Sequence, residues 1–328
     1  MKKAVFAAAL LAAIALIPVN RPAYAGLPLL NIDGDGGGAI VPWAYLSNPA
    51  GEGMFGKPAF SAWRWSSDDY TFDFLGVALT VANRVEFGLA YQRADVDDLR
   101  DDLKADSAAA LGGSMLDLGE DDAGIINAHA KVLLLKETDN WPAVAFSVTY
   151  KNALDVDDID DSLTAGARAV IGAGAPRVLD WMGVDDDDGF EFNLMATKLW
   201  KTEIPILTSI NLRYTQAVQL GFLGFSDHWS LNPEVTLAIL PKPNLAVGVE
   251  YRQKPDELDS LNDYLGANAG ARFAALEDYS FEEDAFIDFF VSYQATPKLS
   301  ISGGVADIGN VFHRKTRSIW AVNLNYGF

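Results

Sequence analysis

Residues Ser318–Phe328 alternate strictly. Trp320, Val322, Leu324, Tyr326 and Phe328 fall on one side, and Ile319, Ala321, Asn323, Asn325 and Gly327 on the other. A period of two means a strand, because successive side chains point to opposite faces. One face is apolar and closes on two aromatics; the other is small or amide-bearing. Such a strand suits lipid on one side and a wet or polar-packed lumen on the other. No stretch after residue 25 is a continuous apolar run of spanning length. In a membrane this chain can therefore only be a closed barrel, since helices and closed barrels alone satisfy every backbone group in lipid.

The whole sequence supports that constraint. Twelve alternating segments follow one another: Ala59–Trp65, Asp69–Ala82, Val85–Arg93, Ile125–Lys136, Ala143–Lys151, Phe190–Leu199, Ile206–Thr215, Trp229–Ile239, Leu245–Lys254, Asp284–Gln294, Leu299–Asp307 and Ser318–Phe328. Asn83-Arg84, Thr138–Trp141, Lys201–Glu203, Pro241–Asn244 and Thr296–Lys298 are tight turns rich in turn-forming residues. Between them lie long, mostly acidic connections, 94–124, 152–189, 216–228 and 255–283. Short turns at one end and long loops at the other are the asymmetry of outer-membrane barrels. The expected fold is all-β, a transmembrane antiparallel β-barrel of about twelve strands, with fourteen as the alternative count.

Three regions are expected. Residues 1–25 read as a signal peptide, with Lys2 and Lys3, an apolar stretch to Pro18 and an Ala23-Tyr24-Ala25 cleavage site. Residues 26–58 are Gly-rich and read as a plug in the lumen or as extra strands. Residues 59–328 form the barrel, with long acidic extracellular loops. The formal charge of −20 becomes −23 once Lys2, Lys3 and Arg21 leave with the signal, and no basic footprint for nucleic acid exists. The absence of cysteine excludes disulfides, thiolate metal sites and thiol nucleophiles.

Strand parity divides the barrel faces. Outward sets include Val85, Phe87, Leu89 and Tyr91, and Ile287, Phe289, Val291 and Tyr293. Inward, pore-lining candidates are Arg64, Asp73, Glu86, His129, Lys131, Lys151, Glu191, Arg213, Glu234, Glu250, Arg252 and Asp288. A charge turned to mid-depth lipid costs up to about 2–4 kcal/mol, whereas in a lumen it can pair or stay hydrated. In Asp69–Ala82 the apolar parity switches from Tyr70, Phe72 and Phe74 to Val77, Leu79 and Val81, which predicts a β-bulge near Leu75-Gly76.

Gly36-Gly37-Gly38-Ala39-Ile40-Val41-Pro42-Trp43-Ala44, Arg84–Phe87, Ala196–Leu199, Gly221–Phe225, Ala246–Asp256 and Asp307–Asn310 together resemble an uncharacterised family of proteobacterial outer-membrane proteins, the domain of unknown function 3034. The resemblance spans nearly all of the chain after the signal. It implies a porin-like barrel in the outer membrane of a Gram-negative bacterium, and it carries over no catalytic residues. The acidic runs Asp155–Asp161 and Asp185–Asp188 are longer than the family leads one to expect.

Other motifs are weaker. Asn31-Ile32-Asp33-Gly34-Asp35-Gly36 begins like a calcium loop, but its twelfth position is Pro42 rather than a bidentate glutamate, which favours a glycine-rich turn. The clusters Asp95–Asp106, Asp155–Asp161 and Asp185–Asp188 offer hard oxygens to Ca or Mg, although solvated loops are the favoured reading; no other cofactor is expected. Ser226-Asp227-His228 has the residue types of a hydrolase, but side by side in a loop; His129 faces inward and His313 is the third histidine. Ala165–Met182 and Leu261–Leu276 are apolar-rich pieces that suit short helices over the mouth as well as surface loop.

The sequence thus points to a channel for small polar solutes or ions. The alternative is a closed structural or adhesion barrel with a filled lumen, and a lipid hydrolase ranks behind both. No enzyme activity is expected. Expected partners are outer-membrane lipids, lipopolysaccharide, the solute, and the barrel-assembly machinery, which would read Tyr326 and Phe328; oligomeric state is left open.

Overall fold

The computed structural model describes residues 29–50, 53–114, 116–269, 281–311, 314–316 and 318–328. Residues 1–25, expected to be a signal peptide, together with His313 and residues 270–276 of the second apolar piece, lie outside them.

Twelve antiparallel strands close into a barrel: β1 (Ala59–Ser66), β2 (Thr71–Val81), β3 (Val85–Asp95), β4 (Asp122–Leu135), β5 (Ala143–Ala153), β6 (Asp188–Trp200), β7 (Ile206–Ala217), β8 (Phe225–Lys242), β9 (Leu245–Arg252), β10 (Phe286–Gln294), β11 (Leu299–Asp307) and β12 (Ile319–Gly327). Each strand pairs with its sequence neighbours, and β12 closes on β1 through Trp320↔Ser66 to Gly327↔Ala59. Closure leaves no barrel edge unpaired, which a lipid setting requires. One extra strand, Val184–Asp186, pairs with the start of β8.

The outer face is apolar. Phe87, Leu89, Ile210, Leu237, Val249, Ile287, Val322 and Leu324 are all exposed on strands whose intervening residues are buried. Tyr91, Tyr150, Tyr214, Tyr251 and Tyr326 are exposed as well, as an interfacial girdle needs. Tyr293 departs from its set: its parity is outward, yet it is only 2% exposed. Among the described residues, no helix is long and apolar enough to cross a membrane.

The long connections hold helices: α1 (Asp97–Leu111), α2 (Val156–Ile171), α3 (Val178–Trp181) and α4 (Ser260–Ala269). Two acidic clusters that read as solvated loop are therefore largely helical. Asp97 and Asp98 begin α1, and Asp157 and Asp158 begin α2. Carboxylates in a first turn complement the exposed N–H groups and the positive end of the helix dipole. Leu99 and Leu103 of α1, and Ile159, Leu163 and Ala167 of α2, point into a common core. Asp160 is buried and joins α2 to α3. It accepts from Leu179 N at 2.9 Å and pairs with Arg177 at 2.5 Å.

No bulge occurs in β2. Its register runs unbroken from Thr71 to Ala78 against β1 and from Thr71 to Val81 against β3. The apolar parity switches because Phe72 and Phe74 face the interior, where they meet Trp65 and Phe222. The inside of this barrel is apolar at one end, so both faces of β2 carry large side chains.

Candidate functional site

Residues 29–47 lie inside the barrel, nearly all of them buried. The local sequence makes the compact path feasible. Asn31 Oδ1 accepts from the N–H groups of Asp33 at 3.0 Å and Asp35 at 2.9 Å, closing a turn. Gly34 takes a left-handed φ of 87°. Leu29-Leu30 then pairs with Gly36-Gly37. A Cβ at Gly38 would overlap the Glu250 carboxylate, so only glycine lets the backbone approach that wall. The calcium-like opening thus has other work: Asn31 shapes the turn and Asp33 holds cations.

Asp33 is the centre of the interior network. Lys151 of β5, Arg213 of β7 and Arg252 of β9 reach it at 3.0, 3.1 and 3.0 Å. Glu191 of β6 also takes Lys151 at 3.1 Å and Arg213 at 2.5 Å. Glu234 of β8 takes the Nε atoms of Arg213 at 2.7 Å and Arg252 at 2.8 Å. Three cations face three carboxylates, all of them buried, and one carboxylate comes from the inner segment rather than the wall. An uncompensated charge there would be costly; a balanced, hydrogen-bonded set is tolerated.

A second cluster ties the other side of the segment. Glu86 Oε1 lies 2.8 Å from Lys131 Nζ and accepts from Gly36 N at 3.0 Å; its other oxygen takes Ser47 N. Lys131 donates to Gly36 O at 2.9 Å. His129 Nε2 stands 3.3 Å from Asp35 and 3.4 Å from Glu86, over Gly88, where any Cβ would strike the imidazole. Asp35, Glu86 and His129 have the residue types of a metal site. Lys131, however, already brings a positive charge against Glu86.

Glu250 accepts from the backbone N–H groups of Ala39 at 2.7 Å, Ile40 at 2.8 Å and Val41 at 3.4 Å, and from Thr236 at 2.6 Å. Trp43 donates its indole N–H to Thr236 at 2.9 Å, and Ala44 N donates to Thr197 at 2.8 Å. Buried wall side chains thus satisfy backbone groups that water would otherwise have to reach.

Ten of the twelve pore-lining candidates, all but Arg64 and Asp73, are buried within the barrel. Arg64 and Asp73 are on the outer face. They pair with each other at 3.5 Å near the long-loop rim, with side-chain exposures of 63% and 39%. In β1 the inward residues are Ser61, Trp63 and Trp65, so Arg64 belongs with exposed Phe60. The faces of β1 are the reverse of the expected ones because its tryptophans suit a lipid face as well as an apolar interior. Sequence reasoning does not find Asp33 as the partner of the wall cations. The signal present is a surplus of cations on β5, β7 and β9 beside an acidic glycine-rich tract.

The loop histidine does not form a serine–histidine pair. Ser226 is buried and its Oγ donates to the His228 backbone oxygen at 3.2 Å, while the exposed imidazole lies 2.6 Å from Asp227.

At the long-loop end, above the inner segment, lies an apolar cavity that opens toward solvent. Trp65, Phe72, Phe74, Phe222 and Phe286 wall it, Ile32 of the inner segment borders it, and Leu99 and Ile159 of the loop helices close it over. Beside it Lys254 pairs with Glu283 at 3.4 Å and donates to Asn310 O at 2.9 Å. Burial pushes the Glu283 carboxyl up to about 7, with Lys254 opposing.

The family model for proteins of unknown function designated DUF3034 matches residues 28–325. The chain belongs to that family. A comparison of the sequence with curated proteins gives no match. Among solved structures, the KdgM porin superposes with a TM-score of 0.43 at 8% identity, covering 82% of this chain and 99% of that one. Omp33 of Acinetobacter baumannii gives 0.41 at 8%, covering 84% and 100%. LpxR from Salmonella typhimurium gives 0.43 at 9%, covering 82% and 100%. A shared barrel fold does not fix chemistry, so what this DUF3034 protein does must be argued from its own interior.

Proposed function

We propose that this DUF3034 protein is an outer-membrane barrel that is closed at rest, with residues 29–47 as its plug, and that it passes small polar solutes or ions when the plug is displaced. The observation that carries this is the position of Asp33 among Lys151, Arg213 and Arg252. A permanently filled core is made as well or better from apolar residues. Charged walls suit a lumen that water enters when the segment leaves, because each charge can then be rehydrated. With the plug gone, the wall charges would set the selectivity of the passage.

A second reading, a closed structural barrel, draws on the apolar part of the same segment: Leu29, Leu30, Ile40, Val41 and Trp43 are fully buried. Planar-bilayer recording separates the two. Steady conductance from a chain lacking residues 29–47, against a mostly silent full chain, is the expected result. Silence from both folded proteins would refute the channel. The proposal includes export by residues 1–25, contact of the apolar belt with lipid and of the loops with lipopolysaccharide, and no catalysis. Tyr326 and Phe328, exposed and edge-on with centroids 5.0 Å apart, would serve the assembly machinery.

A further inference from the structure

We propose that the apolar cavity at the long-loop end binds a small uncharged molecule built on one or two rings. The site is complete in the closed barrel, so its test stands apart from the conductance test.

The first argument is the gap itself. Protein interiors pack densely, and the lining of an unfilled space forfeits dispersion contacts. A space walled largely by apolar side chains takes an apolar solute more readily than water. Elsewhere in the lumen the inner segment and buried ion pairs are in place, so an apolar-lined space beside them is a local departure.

The second is the kind of wall. Trp65 meets Phe286 edge-on at 5.4 Å and 90°, and meets Phe74 at 6.3 Å and 82°. Phe72 stacks with Phe74 at 6.1 Å and tilts against Phe222 at 5.9 Å. These rings come from three barrel strands and the connection after β7. Ring faces and ring edges are both on offer, which is what a flat π-system needs for offset-stacked and edge-on contacts. Four of the five sit on strands of a barrel whose other large rings are commonly spent on the outer face, so their inward placement needs a reason beyond barrel stability.

The third is charge. Of the polar lining residues Glu120, Asp122, Gln219 and Lys254, two are acidic, and Glu120 is the exposed one. Lys254, the cation in the lining, is engaged with Glu283 and Asn310. A carboxylate amphiphile would meet repulsion and no free counter-charge here, whereas an uncharged ring compound meets neither. Leu99 and Ile159 limit the length of the guest from above, which favours a compact molecule over an acyl chain.

The test uses the whole protein in lipid nanodiscs and naphthalene as the probe, measured by equilibrium dialysis against empty nanodiscs. A saturable component of about one molecule per barrel is expected above lipid partition. Leu99→Trp and Ile159→Trp, which fill the space from two different helices, should each weaken it at least about tenfold. Uptake no greater than that of empty nanodiscs overturns the proposal. So does wild-type affinity in both filled variants, or saturation by decanoate but not by naphthalene. Should both variants fail to fold, crystals of the wild type soaked in bromonaphthalene decide. Anomalous bromine density among the five rings upholds the site, and its absence refutes it.

Discussion

Asp33→Asn is the sharpest perturbation of this interior. It keeps the side chain's shape and removes one charge from a set of three cations and three carboxylates. The remaining set is Lys151, Arg213 and Arg252 against Glu191 and Glu234. Removing one partner of a buried ion pair costs about 3–5 kcal/mol, because the other charge stays buried. The lower end applies here, since every cation keeps a second partner: Lys151 and Arg213 keep Glu191, and Arg213 and Arg252 keep Glu234. About 3 kcal/mol is lost from the closed state alone, because a withdrawn segment leaves the Asp33 position in water in either variant. At about 1.4 kcal/mol per decade, the ratio of open to closed barrels should rise roughly a hundredfold. The assay is open fraction in single-channel records at fixed voltage, with folding checked by the heat-modifiable band on gels. Adding Lys151→Met restores two cations against two carboxylates and should recover at least about tenfold of closure, because neighbouring charges in one network couple. The reasoning fails if Asp33→Asn folds and its open fraction stays within about threefold of wild type, since the network would then not hold the segment.

Further outcomes follow from other contacts. Gly38→Ala should also raise the open fraction, because its Cβ must displace the Glu250 carboxylate that holds the Ala39–Val41 amides; channel recording with the same gel control checks this. Arg64→Ala should leave ion selectivity of the opened barrel unchanged and cost at most about 1 kcal/mol, as befits an exposed pair; reversal potentials in a salt gradient measure it. The Glu283 carboxyl, raised by burial to about 7, favours the packed long-loop end while it is protonated. That stability is fully present below the ordinary carboxyl range and is lost as pH rises through about 7. Loop proteolysis should therefore accelerate between about pH 6 and 8 in wild type and lose that pH dependence in Glu283→Gln. Asp160→Ala should release α3 from α2 and speed cleavage near Arg177, which mass spectrometry of the fragments would locate.

The barrel is legible in the sequence because its rules are local. Strand periodicity and the inward parity of charges on β3 through β10 can be read within about ten residues of chain, and the alternation of short turns and long connections needs only their order along it. Helices in the acidic connections are harder to see. Asp97 and Asp98 look like repelling charge until the helix they begin supplies the dipole that welcomes them. The faces of β1 and β2 are unreadable for a different reason. Period-two logic assumes that the apolar side faces lipid, and at the cavity Trp65, Phe72 and Phe74 face inward while the charged Arg64 and Asp73 face out.

By itself, the alternation that ends at Trp320, Leu324 and Phe328 and recurs along the chain determined a membrane barrel, its approximate strand number and which end carries the loops. For a chain of such strands in lipid, backbone hydrogen bonding allows nothing else. What fills the barrel was decided only in three dimensions. Asp33 meets Lys151, Arg213 and Arg252 across more than a hundred residues of chain. Trp65, Phe222 and Phe286 meet around one space from separate parts of it. Such contacts depend on the closure of the sheet and the path of the inner segment, and no local periodicity encodes either.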